Sequence, residues 1–369
     1  MKSSKKIQTW FVILALCIGS WTARAQEQTS LNSCPWRLAS QAEVQATGEQ
    51  ISAPGYATDK WYPATVPGTV LTTLVNNQVY PEPLYGENNR PDKIPDSLCR
   101  TSYWYRTTFT VPTSYAGRKT WLHFDGINYS AEVWVNGKYL GSIKGAFSRG
   151  IFDISAVAKP AEPAVLVVHV YPQPHPGNPI EQTIANGVGH NGGITAIDGP
   201  TFLCTIGWDW IPGIRDRDTG IWQRVSLSAS GPVLVLEPYV TSDLPLPRLD
   251  SAEIKIQATL KNVSAQSQKG VLKGTFGEVP FQQAVELEAH TTKIVTLDSA
   301  TTPRLKLKNP KLWWPNGYGP QNLYPVHIAF GMGGTVSDAK DFSFGVRKIT
   351  YTVPGTDNLT LSVNGVPVV

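Results

Sequence analysis

A chain of 369 residues, at roughly 150 per domain, predicts two or three domains, and 41% hydrophobic with 16% charged residues excludes disorder and collagen. The formal charge of +4 resides in Met1–Ala25, which reads as a secretory signal peptide: Lys2, Lys5 and Lys6, an apolar run from Trp10 to Gly19, and the small-x-small site Ala23, Arg24, Ala25. Its removal takes four basic residues and no acid from the 32 and 28, so the mature chain is formally neutral and has no long-range pull on nucleic acid or an acidic membrane.

The apolar run of the signal is too short to span a bilayer, and no later stretch approaches the ~20 apolar residues a span needs. Lipidation at Cys17 is disfavoured by the bulky Leu16 before it. The chain is therefore expected to be exported to the periplasm or the medium. After cleavage Cys34, Cys99 and Cys204 remain, with no CxxC pair, so neither a disulfide framework nor a zinc site is written here. At most one bridge can form, and three free thiols are an equal alternative.

Along the chain, 32 glycines and 29 prolines punctuate short alternating apolar runs, the pattern of an all-β protein. The main helix expectation is VLTTLVNN after Pro67, Gly68 and Thr69, with Val70, Leu71, Leu74 and Val75 on one face. A polar irregular loop follows over Pro81–Asp96. In YWYRTTFTVP, Tyr105, Thr107, Phe109 and Val111 alternate with Arg106, Thr108 and Thr110, as in a half-buried strand. Leu122–Gly141 contains a hairpin closed by Asn136-Gly137, a type I′ pair. AVLVVHVY, from Ala164, is continuously apolar and is expected to be covered on both faces.

From Pro172 to Pro200 regular patterning stops, in a stretch rich in Pro, Gly, Asn and Gln, and such length inside a compact domain points to function or disorder. It leads into GWDWIPGIRDRDTGIWQRV, Gly207–Val225, the densest aromatic and charged cluster. Gly231 and Pro232 mark a boundary. Beyond it, runs starting at Val233, Glu253, Gly270, Thr292, Tyr324 and Asp341 recur as in an immunoglobulin-like sandwich, without the Cys, Trp, Cys spacing of antibody domains.

Phosphate-loop, HExxH, GxSxG and dinucleotide strings are absent, and no cofactor is expected. Asp216 and Asp218 of RDRDTG alternate as in a calcium loop, but the twelfth position from Asp216 is Leu227 where a bidentate Glu is required. No metal site is expected, and the turn's arginines and aspartates are expected to pair with one another. His175 and His190 lack neighbouring ligands and read as surface residues. Trp208, Asp209 and Trp210 are the candidate carbohydrate-binding residues, since indole faces cover the C–H side of a pyranose and a carboxylate accepts from two hydroxyls. The alternative is that both tryptophans fill the core and Asp209 ties a turn.

Several stretches, taken in order, resemble the N-terminal part of a glycoside hydrolase family 2 enzyme of the exo-β-glucosaminidase and β-mannosidase subgroup: GWDWIPGIRDRDTGIWQRV, WYPATVPGTVLTTLV from Trp61, YWYRTTFTVP, LHFDGINYSAEVWVNGKYLG, NPKLWWPNGYGPQNLYPV from Asn309, FGVRKI from Phe344, and LSVNGVPVV from Leu361. The resemblance implies a jelly-roll (galactose-binding-like) domain over 26–231, an immunoglobulin-like domain over 232–352, and over 353–369 the approach to a catalytic (β/α)₈ barrel. It also implies that Asp209 reaches a terminal β-linked sugar in the barrel's pocket. Retaining hydrolysis needs two carboxyl groups about 5 to 5.5 Å apart, which this family places in the barrel, the acid/base following an asparagine. No Asn-Glu dipeptide occurs, and a barrel takes about 250 residues. No catalytic residue is therefore assigned. The expectation is an inactive sugar-binding scaffold whose partner is a barrel supplied by a missing C-terminal part. The alternative is a free-standing carbohydrate-binding module.

Overall fold

The computed structural model describes residues 28–178, 194–195, 214–351 and 360–368. Two antiparallel sheets form the first unit. One runs, edge to edge, Tyr62–Pro63, Arg37–Ser40, Tyr103–Thr110, Pro163–Tyr171, Ser130–Val135 and Lys138–Lys144. The other runs Thr29–Ser30, Val225–Ser230, Lys119–Phe124 and Gly150–Asp153. Their facing side chains make one core that includes Tyr105, Phe109, Leu122, Phe124, Leu166 and Leu227, the alternation read from the sequence.

The central strand Pro163–Tyr171 is buried from Ala164 to Val170 because its second face is also covered. There Trp61, Trp104, Trp134, Val165 and Val167 pack under the short helix Gly48–Ile51, whose capping box joins Thr47 and Gln50. His169 stacks on Trp104 with ring centroids 3.8 Å apart, and burial pushes its pKa down to about 4. Asn136 and Gly137 close their hairpin with φ of 49° and 78°, both left-handed as the turn requires. The helix Val70–Asn76 forms where expected, capped by the Thr69 hydroxyl and burying Val70, Leu71, Thr73 and Leu74.

The second unit is also a sandwich. Val233–Asp243, Ser251–Asn262 and Thr292–Leu297 form one sheet, with Lys306–Lys308 pairing the start of Ser251–Asn262. Val279–Leu287, Gln268–Phe276, Tyr324–Met332 and Thr335–Phe344 form the other. The strand Val279–Leu287 escapes a reading by apolar runs because it is polar on one side and carries Pro280, which suits only an edge. At the junction, Gly231 donates its N–H to the Ser337 carbonyl at 2.7 Å, and a Cβ there would lie 3.0 Å from Ser337 Cα. Ile349–Tyr351, Leu361–Val363 and Val366–Val368 add a small three-stranded sheet.

Candidate functional site

Trp208, Asp209 and Trp210 lie outside the described residues, as do His190 and Cys204. Cys34 and Cys99 are both free thiols. His175 is exposed. The described chain resumes at Ile214 and leads at once into the turn Arg215–Gly220.

That turn is almost entirely buried, with Arg215, Asp216 and Arg217 at 2% exposure or less. Burying these three charged side chains is costly unless each finds partners. Arg215 donates to the Asp96 carboxylate at 3.1 Å and to the Asn89 carbonyl at 2.7 Å. Asp216 accepts from the Leu71 amide at 2.6 Å and the Asp218 amide at 2.9 Å. Arg217 Nε donates to the Pro176 carbonyl at 2.8 Å and Nη1 to the Ile214 carbonyl at 2.6 Å. One guanidinium thus ties a residue that precedes the candidate triplet to one that follows it. Asn128 Nδ2 holds the carbonyls of Arg217 and Asp218 at 2.9 and 3.1 Å, and its backbone pairs with that of Gly220.

The expectation that the turn's charges pair among themselves is corrected here. Among the described residues no ion pair joins two side chains of the turn; Arg215 pairs outward, and the others bind backbone groups. Backbone groups carry no sequence signature, which is why residue types alone misplace these partners.

Burial raises the pKa of Asp216, opposed by the amide and hydroxyl donors around it. Asp218 is pushed up to about 7, first by burial and then by Asp216, with Arg217 opposing. A carboxyl raised in the folded state favours folding most below its unfolded pKa near 3.9, and this contribution is lost as pH rises through about 7. The Asp218→Asn variant is therefore expected to gain stability relative to the parent chain between pH 4 and 8, on the order of 4 kcal/mol. Urea unfolding of both chains across that range measures it, and a constant difference would contradict the assignment. Taking the difference cancels the opposite slope from His123 and His169, both held near 4 by burial, whose contribution is present above about 6.5 and lost on acidification.

Asp216 is fully enclosed and cannot reach a substrate, so the turn's two aspartates do not make an accessible acid/base pair. No group of three or more potential metal ligands occurs among the described residues. An aromatic pair that the sequence reading did not single out stands nearby: Phe147, 62% exposed, meets Trp222 edge-on at 5.9 Å. Trp222 Nε1 donates to the Ala146 carbonyl, and Gly126 gives it room, since a Cβ would lie 2.9 Å from that nitrogen. The signal for Phe147 was its place as an isolated aromatic in the glycine-flanked polar stretch GSIKGAFSRG.

Comparison with known proteins agrees with this architecture. A family described as the glycosyl hydrolase 2 galactose-binding domain-like domain matches residues 36–223, and one described as glycosyl hydrolases family 2 matches 235–347. An exo-beta-D-glucosaminidase of Streptomyces avermitilis is 31% identical over 334 residues, 89% of this chain and 34% of its own length. A mannosylglycoprotein endo-beta-mannosidase of Lilium longiflorum is 33% identical over 347 residues, 89% of this chain and 35% of its own. The crystal structure of the Amycolatopsis orientalis exo-chitosanase CsxA superimposes with a TM-score of 0.74 at 28% identity, covering 92% of this chain and 36% of that one. The chain spans about a third of the length of the curated relatives it matches.

Proposed function

The chain belongs to glycoside hydrolase family 2, and on that premise we propose that it forms the non-catalytic wall of a cleft for a terminal β-linked sugar. Asp209 accepts hydrogen bonds from the sugar, Trp208 and Trp210 flank it, and the reactive carboxyls come from a barrel domain. The observation that carries this reading is the order of the two domains, galactose-binding-like then immunoglobulin-like, shared over 89% of the chain with relatives named for β-glucosaminidase and β-mannosidase activity. The buried Arg217 clamp supports it, because a carboxylate that orients a sugar needs a rigid base. The purified chain alone is expected to show no turnover of aryl β-mannosides, β-glucosaminides or β-galactosides. Turnover that Asp209→Ala abolishes would sink the proposal.

An apolar face suited to a neighbouring domain supports the scaffold role over a free-standing module. Directly opposed residues in antiparallel strands share a face, so Ile349, Tyr351, Leu361 and Val366 stand together, 42% to 65% exposed, around Val363, which is buried. Left uncovered, this face is expected to drive self-association. Sedimentation velocity should show oligomers growing with concentration, and Tyr351→Lys with Leu361→Lys should suppress them; a monodisperse parent chain at high concentration would count against the proposal. Export completes the reading: the mature protein recovered from outside the cytoplasm should begin at Gln26, as intact-mass measurement can check.

A further inference from the structure

Three asparagine-glycine pairs fall among the described residues: Asn136-Gly137, Asn316-Gly317 and Asn364-Gly365. Each is the same reactive couple. The glycine nitrogen can attack the side-chain carbonyl carbon of the asparagine before it, and no Cβ on the glycine blocks the approach. Attack requires an asparagine side chain free to rotate toward the backbone and a glycine N–H not engaged elsewhere. The fold meets these conditions at one pair and denies them at two.

Asn136 is locked. Its Nδ2 donates to the Val157 carbonyl at 2.7 Å, its Oδ1 accepts from the Val165 amide at 2.8 Å, and the Gly137 N–H donates to Ser52 Oγ at 3.0 Å. Asn364 is locked too, 3% exposed, its Nδ2 donating to the Trp313 carbonyl at 3.0 Å and its Oδ1 accepting from the Lys348 amide at 2.9 Å. Asn316 is neither buried nor held. It is exposed on the loop 309–323, and among the described residues neither its side chain nor the Gly317 N–H has a hydrogen-bond partner. Tyr318 closes the turn by donating to the Pro315 carbonyl at 3.0 Å. Gly317 has φ of 82°, the left-handed value such a turn asks of its third residue, and nothing lies within 4 Å of where its Cβ would stand, so the ring formed by attack has space.

We propose that Asn316 is a site of spontaneous deamidation. The Gly317 nitrogen gives up its proton and bonds to Asn316 Cγ; the bond from Cγ to the side-chain nitrogen breaks, and ammonia leaves with a proton in place of that bond. The resulting succinimide takes up one water, which opens it at either carbonyl to give aspartate or isoaspartate. Nothing is oxidised or reduced, and because the glycine proton must be lost, the reaction is faster as pH rises. Either product sets a carboxylate on the loop that carries Trp313, over whose ring the Arg347 guanidinium stands at 4.8 Å. Isoaspartate also adds a carbon to the main chain within the turn that Tyr318 and Pro315 close. The reaction needs neither a sugar nor a barrel.

The test is incubation of the purified mature chain at mildly alkaline pH, folded and, in a second sample, unfolded in guanidinium chloride, with mass spectrometry of the digested peptides timing the amide-to-acid conversion at each pair. In the folded chain Asn316 should convert at least about tenfold faster than Asn136 and Asn364, since each of those must first break two side-chain hydrogen bonds. Its rate should rise with pH, and its product should separate on chromatography into aspartate and isoaspartate peptides. In the unfolded chain the three rates should draw together. Comparable rates at the three pairs in the folded chain, faster conversion at Asn136 or Asn364, or an Asn316 that converts only when the chain is unfolded would each overturn the proposal.

Discussion

Gly220→Ala is expected to lower the stability of the first domain by about 3 kcal/mol, some 6–12 °C in melting temperature for a domain of this size. An added Cβ would stand 2.6 Å from the Gly68 carbonyl oxygen and 2.8 Å from Thr69 Cα, backbone atoms that cannot rotate away. Nor can the two segments slide apart, because Gly68 donates to the Ile221 carbonyl at 2.9 Å and Val70 to the Thr219 carbonyl at 2.8 Å, one stitch on each side of Gly220. A φ of 151° adds strain for any L side chain. Gly55→Ala is the control: φ is 84° there too, but nothing lies within 4 Å of the new methyl, so only the backbone cost of about 1 kcal/mol is expected. Calorimetric unfolding of the two variants compares them, and equal losses would mean the turn is looser than described.

Arg217→Met is expected to cost about 2–4 kcal/mol. Two effects oppose each other. Removing a buried cation relieves its desolvation, which lowers the Arg217 pKa, and an apolar replacement of a buried charge can be neutral or stabilising. Against this, the carbonyls of Pro176 and Ile214 lose their donors, at about 1–3 kcal/mol each if left dry, and Asp218 loses the positive charge that offsets its burial. The second effect wins because three groups are orphaned by the loss of one. Arg217→Lys should fall between, keeping the charge without the fork that reaches two carbonyls. Urea midpoints in the order parent, Lys, Met are the expected result; a Met variant as stable as the parent would show that water or a shifted backbone replaces the clamp.

The sandwich folds were legible because their strands alternate cleanly, as in Tyr105, Thr107 and Phe109, and because the Asn136-Gly137 turn has one comfortable geometry. Val279–Leu287 was not, since an edge strand with Pro280 buries little and so displays little pattern. Nor was the short helix Gly48–Ile51, a single turn set by its cap and by Trp134 above it rather than by periodicity. At the site, the sequence marked RDRDTG as special but not its wiring. Asp216 and Arg217 each have one distant partner, the Leu71 amide 145 positions away and the Pro176 carbonyl 41 positions away, and only the folded chain brings these together. The carboxyl of Asp218 is likewise unremarkable as a letter; the burial that raises its pKa is a property of packing.

The central claim is that this chain contributes a sugar-contacting wall and not the reactive acids. Fusing it in place of the corresponding segment of the Amycolatopsis orientalis enzyme tests this directly, by measuring kcat/KM on an aryl β-glucosaminide for the fusion with and without Asp209→Asn. The prediction is turnover in the fusion, none in the chain alone, and a fall of about 10- to 100-fold on Asp209→Asn, the worth of a charged hydrogen bond to substrate. A fusion indifferent to Asp209→Asn, or hydrolysis by the chain alone, would contradict it.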